Sequence, residues 1–236
     1  MITLAIDSSA SAASAALAED GRLLGEFFCN TGLTHSQTLM PMVQCLLQST
    51  QTSLQNVGLF AVSAGPGSFT GIRIGVSSVK GLAFPFGTPC AGVSTLEALA
   101  WNLAHLNGTV CAVMDARCGQ VYNAMFRVNG KTPERLTPDR GVAADALAEE
   151  CANYPKPLFL VGDGAKLCYN RQGFRTAGAL LPPEQLLYQR AGSVANAAAA
   201  VFADGAAVSP AALRPVYLRP AQAERALKKK NGGNGK

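Results

Sequence analysis

The residues best suited to chemistry form a glycine-spaced turn, Gly65-Pro66-Gly67-Ser68-Phe69-Thr70-Gly71. It sits between an apolar run, Leu59 to Ser63, and a small-residue stretch with helical spacing, Ile72 to Phe84. Gly65, Gly67 and Gly71 permit positive φ and the close approach of an anion or of another backbone. A helix starting just beyond such a turn offers free N–H groups and a positive dipole end, which is the logic of a phosphate cradle. No Lys-Ser/Thr pair closes the glycine run, and the spacing is not a dinucleotide fingerprint. The residues alone therefore favour a tight strand-to-helix connection. Metal chemistry is poorly served. Neither His35 nor His105 has a second histidine four residues on, and the seven cysteines, at 29, 45, 90, 111, 118, 151 and 168, contain no Cys-x-x-Cys pair. Covalent catalysis fares no better, because neither histidine lies beside a nucleophile motif such as Gly-x-Ser-x-Gly. No catalytic, cofactor-binding or metal-binding residue is assigned.

The elements that would position these groups read as follows. Ile2 to Asp7 and Ala12 to Ala18 are strands joined by a turn at Ser8 to Ser11, and Asp20-Gly21 is a hairpin signal into a third strand, Arg22 to Cys29. Thr34-His35-Ser36-Gln37 has the form of a capping box. The helix behind it carries an apolar stripe of Leu39, Met42, Val43, Leu46 and Leu47, and Pro41 either bends it or marks its true start. After the glycine turn and its helix come a short strand, Cys90 to Val93, and a second capping box, Ser94 to Glu97, opening a helix toward Leu106. The opening then recurs: a strand from Val110 to Ala116 contains Asp115 near its end, Cys118-Gly119 turns, and Gln120 to Val128 pairs back. Val128-Asn129-Gly130-Lys131 is a further hairpin signal, followed by a helix from Val142 to Tyr154. The strand Leu158 to Val161 ends in Gly162-Asp163-Gly164, Ala195 to Ala203 is an alanine-rich helix, and Pro210 to Pro220 is extended. Two βββ-then-αβ units imply an internal duplication and an α/β fold of two similar lobes.

Composition bounds the class. Of 236 residues 48% are hydrophobic and 15% charged, as expected of an ordered globular chain. No run approaches the roughly 20 apolar residues of a membrane span, and the start lacks the features of a signal peptide. Unpaired cysteines in odd number point to reduced thiols and a cytoplasmic protein. The net charge of +5 is concentrated at the end: without Glu224 to Lys236 it falls to +1. That segment reads as a solvated tail, with a loose electrostatic arm for RNA as the lesser alternative. The nearly neutral body argues against autonomous nucleic-acid binding.

Duplicated βββαβα lobes with an acid closing the first strand resemble the actin/Hsp70-like (ASKHA, RNase H-like) superfold. Specific segments are similar to the TsaB family, also called YeaZ: Leu4 to Ser9, Thr34 to Gln37, Met40 to Val43, Gly65 to Gly75, Gly92 to Leu96, Met114 to Arg117, Gly119 to Tyr122 and Pro215 to Arg219. The resemblance runs from residue 4 to 219. It implies a first lobe over 1–106, a second over 107–222 and a basic tail over 223–236. It also implies a non-catalytic subunit for the bacterial N6-threonylcarbamoyl modification of adenosine 37 in tRNA. Such a subunit pairs with a homologous catalytic subunit, TsaD. A P-loop ATPase, TsaE, and tRNA are engaged through the complex, and a homodimer is possible when the protein is alone. The family pairs through its two N-terminal helices, which here assigns the partner interface to Met40, Val43, Leu47, Gly71, Ile72, Arg73, Gly75, Val76, Ser78 and Val79. Gly65, Gly67 and Gly71 are assigned to the structural turn. ATPases of the superfold keep a short glycine-containing turn after the first strand, whereas this chain has Ser8-Ser9-Ala10-Ser11, and Ala116 and Arg117 stand at the matching place in the second lobe. Asp7 and Asp115 are accordingly read as structural carboxylates accepting turn N–H groups. The alternative is an ATP-dependent transferase or phosphotransferase of the same superfold.

Overall fold

Alternation along the first strand, β1 (Ile2–Asp7), sends Leu4 and Ile6 to one face and Ala5 to the other. A computed structural model describes residues 1–219, so the segment 223–236 lies outside the described residues. β2 (Ala13–Glu19) and β3 (Arg22–Cys29) complete an antiparallel meander with β1. Asp20 and Gly21 both take positive φ, at 48° and 82°, as a tight hairpin turn requires. Next come α1 (His35–Ser49), β4 (Val57–Gly65), α2 (Phe69–Ala83), β5 (Cys90–Ser94) and α3 (Thr95–Trp101). The sheet order is β3-β2-β1-β4-β5, with β4 and β5 parallel to β1.

The second half repeats the plan. β6 (Asn107–Asp115) pairs with β7 (Gln120–Asn129), which is edged by β8 (Glu134–Arg135) and β9 (Arg140–Ala143). Then follow α4 (Ala144–Cys151), β10 (Leu158–Val161), α5 (Ala165–Tyr169), α6 (Gln172–Thr176), β11 (Ala179–Leu180) and α7 (Ala191–Ala203). The order β8-β7-β6-β10-β11 matches the first sheet strand for strand. The expected two-lobed, duplicated α/β layout is present.

Which helix covers which sheet follows from side-chain size. The face holding Leu4, Ile6, Leu17, Phe60 and Val62 is large and apolar, and α1 and α2 cover it with Leu39, Val43, Leu46, Ile72, Val76 and Val79. The opposite face is mostly alanine (Ala5, Ala16, Ala18, Ala61, Ala91), so the alanine-rich α7 can pack close on it. α7 ends the second half of the chain yet covers the first sheet, while α3 lies against β6 and β7 through Leu96 and Leu99. A cut at residue 106 therefore leaves each sheet without one of its covering helices.

Three local expectations are corrected. Thr34 stands at the N-cap of α1 but makes no side-chain cap bond; its backbone carbonyl accepts from Gln37 and Thr38 instead. Ser94 does cap α3 by accepting from the Glu97 N–H at 3.2 Å, but α3 stops at Trp101, well short of Leu106. The helix expected from Val142 begins at Ala144, because Arg140–Ala143 pairs as a strand along β7.

Candidate functional site

The carboxyl ends of β1, β4 and β6 meet at a cleft of about 630 Å³ between the lobes. Its walls are the β1–β2 turn (Ser9, Ala10, Ser11), the glycine turn (Pro66 to Thr70) and the β6–β7 turn (Asp115, Ala116, Arg117). Asp163, Tyr122 and the closing segment Val216 to Arg219 complete it. This is where a nucleotide would sit if the turns could hold phosphate.

The turns are otherwise engaged. Asp7 is fully buried and accepts from the Ser9 N–H at 2.9 Å, from Ser9 Oγ at 2.7 Å and from Ser63 Oγ. In the second lobe the Arg117 N–H donates to Asp115 Oδ1 at 2.7 Å. In both lobes, then, the amide two residues past the strand-end acid turns back onto that acid and away from the cleft. The structural role expected of Asp7 and Asp115 holds in both places. Burial pushes the Asp7 carboxyl above the usual range, against the pull of the Ser63 and Ser9 hydrogen bonds.

The glycine turn is filled by protein. A side chain on Gly65, whose φ is +137°, would overlap the carbonyl oxygen of Val216; one on Gly67, at +157°, would overlap that of Ser9. On Gly71 it would strike the carbonyl oxygen of Ser8. The Ser68 N–H donates to Ser9 O at 2.7 Å and the Val216 N–H to Ala64 O at 2.7 Å. The turn is thus the tight connection favoured by its residues, and the backbones approaching it are the chain's own.

The remaining chemistry of the cleft is weak. Burial pushes Asp163 up to about 6, Gln189 Nε2 opposes this from 3.2 Å, and the nearby Asp115 and Asp7 carboxylates reinforce it. No group of three or more His, Cys, Asp or Glu side chains able to hold a metal ion occurs among the described residues. All seven thiols are unpaired, and burial pushes Cys90 up to about 11 and Cys168 up to about 12, which leaves them protonated and poor nucleophiles. His105 is exposed. His35 is half-buried, and its Nε2 lies 2.6 Å from Ala10 O, tying α1 to the β1–β2 turn across 25 residues, a role that its place near a cap did not reveal.

The Asp163 environment yields a pH dependence. The folded carboxyl keeps its proton to about pH 6, whereas an unfolded one releases it near 3.8, so this group's contribution to stability falls as pH rises between those values. Asp163→Asn should therefore raise stability at pH 7 by up to about 3 kcal/mol, with the gain vanishing toward pH 4. Thermal melts across that range read the effect directly.

The paired outer helices are the second candidate. Of the ten positions assigned to a partner interface, six are packed inside this chain: Val43, Gly71, Ile72, Gly75, Val76 and Val79. α2 also carries a strip of Gly71, Gly75, Ser78 and Leu82 at helical spacing, and its two glycines are closed to another helix by this chain's own sheet. A side chain on Gly75 would lie 2.6 Å from Ser8 Oγ and 3.1 Å from Val62 Cγ2, so the strip seats α2 on the ends of β1 and β4. Met40 and Arg73 are exposed, and Leu47 and Ser78 are half-buried.

Comparisons with known proteins decide the family. A family model described as "TsaD: tRNA N6-adenosine threonylcarbamoyltransferase" matches residues 30–205. The Escherichia coli protein named "tRNA threonylcarbamoyladenosine biosynthesis protein TsaB" is 33% identical over 93% of this chain and 95% of its own length. The chain belongs to the TsaB family. The Bacillus subtilis TsaB is 34% identical over 71% of this chain and 73% of its own. YeaZ from Pseudomonas aeruginosa, a solved structure, superposes with a TM-score of 0.74 at 28% identity, covering 92% of this chain and 99% of that one. No helix among the described residues is long and apolar enough to cross a membrane.

Proposed function

We propose that this chain acts in tRNA threonylcarbamoyladenosine biosynthesis as a non-catalytic subunit. It pairs through the outer face of α1 and α2 with a TsaD-type subunit and activates it, and it reaches a TsaE-type ATPase and tRNA through that complex. One observation carries the reading. α1 and α2, of 15 residues each, together carry only two charged residues, Arg73 and Lys80, although 15% of the chain is charged. A solvated helix face normally bears many charges, and charge depletion is the compositional mark of an interface centre. Met40, 41% exposed, lies on that face. The turns of the cleft support the non-catalytic half, since their amides serve Asp7 and Asp115.

The test is reconstitution with a TsaD-type protein. The wild-type chain should co-elute with it, and Met40→Glu should weaken the pairing by about 1–2 kcal/mol while the melting temperature stays put. Leu47→Glu should act in the same direction, with its melting temperature measured alongside because Leu47 is half-buried. The purified chain should release no phosphate from ATP. Turnover that Asp7→Ala abolishes would favour the transferase alternative.

A further inference from the structure

We infer that residues 215–219 form a latched arm across the inter-lobe cleft, with Arg73 as its latch, so that the cleft opens by release of this arm while both lobes stay folded. The inference does not depend on the pairing proposed above.

The chain that leaves α7 is fastened in two different ways. Its first part is anchored. Val208 and Cys90 exchange backbone hydrogen bonds of 2.8 Å in both directions. Leu213 is 2% exposed and packs on Gly92, where a Cβ would lie 3.2 Å from its Cδ1. Lys80 Nζ donates to the carbonyl oxygens of Ala211 and Leu213, both at 3.3 Å. Beyond Arg214 the backbone is held far less. Among the described residues, 215–219 make one backbone hydrogen bond, from the Val216 N–H to Ala64 O at 2.7 Å. Val216 and Tyr217 are 51% and 36% exposed, so little burial keeps them down.

Side chains of α2 supply the rest of the hold. The Tyr217 ring stacks on Phe69 with centres 4.7 Å apart, and the Arg73 guanidinium lies 4.0 Å from the centre of that same Phe69 ring. Arg73 Nε also donates to Tyr217 Oη at 2.9 Å, so one side chain grips both rings. The tip of the arm then reaches the second lobe. The Arg219 guanidinium is 6.0 Å from the centre of the Tyr122 ring on β7, and a Cβ on Gly141 of β9 would meet its Nε at 3.3 Å. Val216, Tyr217, Leu218 and Arg219 all line the cleft, so the arm starts on one lobe, ends on the other and forms a wall between them. Gly65 is its seat, since any side chain there would overlap the Val216 carbonyl oxygen. Lifting the arm removes this wall and uncovers the glycine turn, while Leu213 and the rest of the first core keep their contacts.

Hydrogen exchange on the full chain reads the opening. The Val216 amide should exchange at least about a hundredfold faster than amides of β1 and β4, which are released only when the first sheet comes apart. Equal protection would mean that the arm leaves only on unfolding, and overturns the inference. Chymotrypsin, which cuts after aromatic residues, tests the latch, with mass spectrometry identifying cleavage between Tyr217 and Leu218. Under native conditions that rate tracks the open population. Arg73→Ala should raise it about tenfold. Tyr217→Phe keeps the stack and a cleavable ring but loses the hydrogen bond, and should raise it about threefold. An unchanged rate in Arg73→Ala overturns the role of Arg73 as latch. Circular dichroism melts fix a temperature at which each variant is folded.

Discussion

Gly75→Leu should cost the protein at least about 1–3 kcal/mol of stability, the range for overpacking a filled core. A Cβ at this position already meets Ser8 Oγ at 2.6 Å and Val62 Cγ2 at 3.1 Å, and leucine adds three more heavy atoms in the same direction. Ser8 cannot turn aside without loss, because its Oγ donates to Gly71 O at 2.9 Å. Val62 and Ile6 stand behind it, both fully buried. α2 must lift from the sheet, and the glycine turn must shift with it. Gly71→Ala is a sharper form of the same test. Alanine favours a helix interior over glycine by nearly 1 kcal/mol, yet here its methyl would strike the Ser8 carbonyl, a backbone atom with no rotamer to change. Net destabilisation by alanine shows that the contact outweighs helix propensity. Urea denaturation of both variants measures the cost, and a midpoint equal to wild type for Gly75→Leu would place this face of α2 outside the core.

Arg190→Ala should destabilise the chain by about 3 kcal/mol through the contact between its two ends. Glu26, on β3, is 6% exposed and accepts from Arg190 Nη2 and from Arg190 Nε at 3.1 Å. Its second oxygen accepts from the Gly192 N–H at 3.0 Å, so Glu26 caps the N-terminus of α7 from the first sheet. The carboxylate thereby meets the positive end of a 13-residue helix that has no side-chain cap of its own. Removing the guanidinium leaves a buried carboxylate supported mainly by that amide. Glu26→Gln should cost less, since it keeps the shape and removes the charge that needs compensation. The expected order in denaturant midpoint is wild type, Glu26→Gln, then Arg190→Ala. A midpoint for Arg190→Ala within error of wild type would reduce the pair to a surface contact. Loosening of α7 should also quicken proteolysis near Arg190, which separates this mechanism from a general loss of stability.

What residues 1–236 determined by themselves was local or repetitive. Asp20-Gly21 reads as a hairpin because few residues tolerate left-handed backbone, and both take positive φ. The first half follows the expected order of meander, then alternating helices and strands, because side-chain period separates the two kinds of element. The strand-end acids Asp7 and Asp115 announce the duplication and their own structural use, since an acid can reach the amide two residues on without help from elsewhere. The family, too, was legible in its glycine segment. Tertiary structure decided everything that depends on what a face meets. On α2, Gly71 and Gly75 have the same helical spacing as Ile72, Val76 and Val79, and only the folded positions of Ser8 and Val62 show that the glycines are core as well. Glu26 and Arg190 lie 164 residues apart, and Arg73 and Tyr217 are 144 apart, separations that no local pattern encodes. The return of α7 to the first sheet follows from complementary alanine surfaces, which become partners only when two distant segments are folded against each other. Periodicity fixes the direction in which a side chain points; its neighbour is set by long-range packing, where shape and burial are shared among segments distant in the chain.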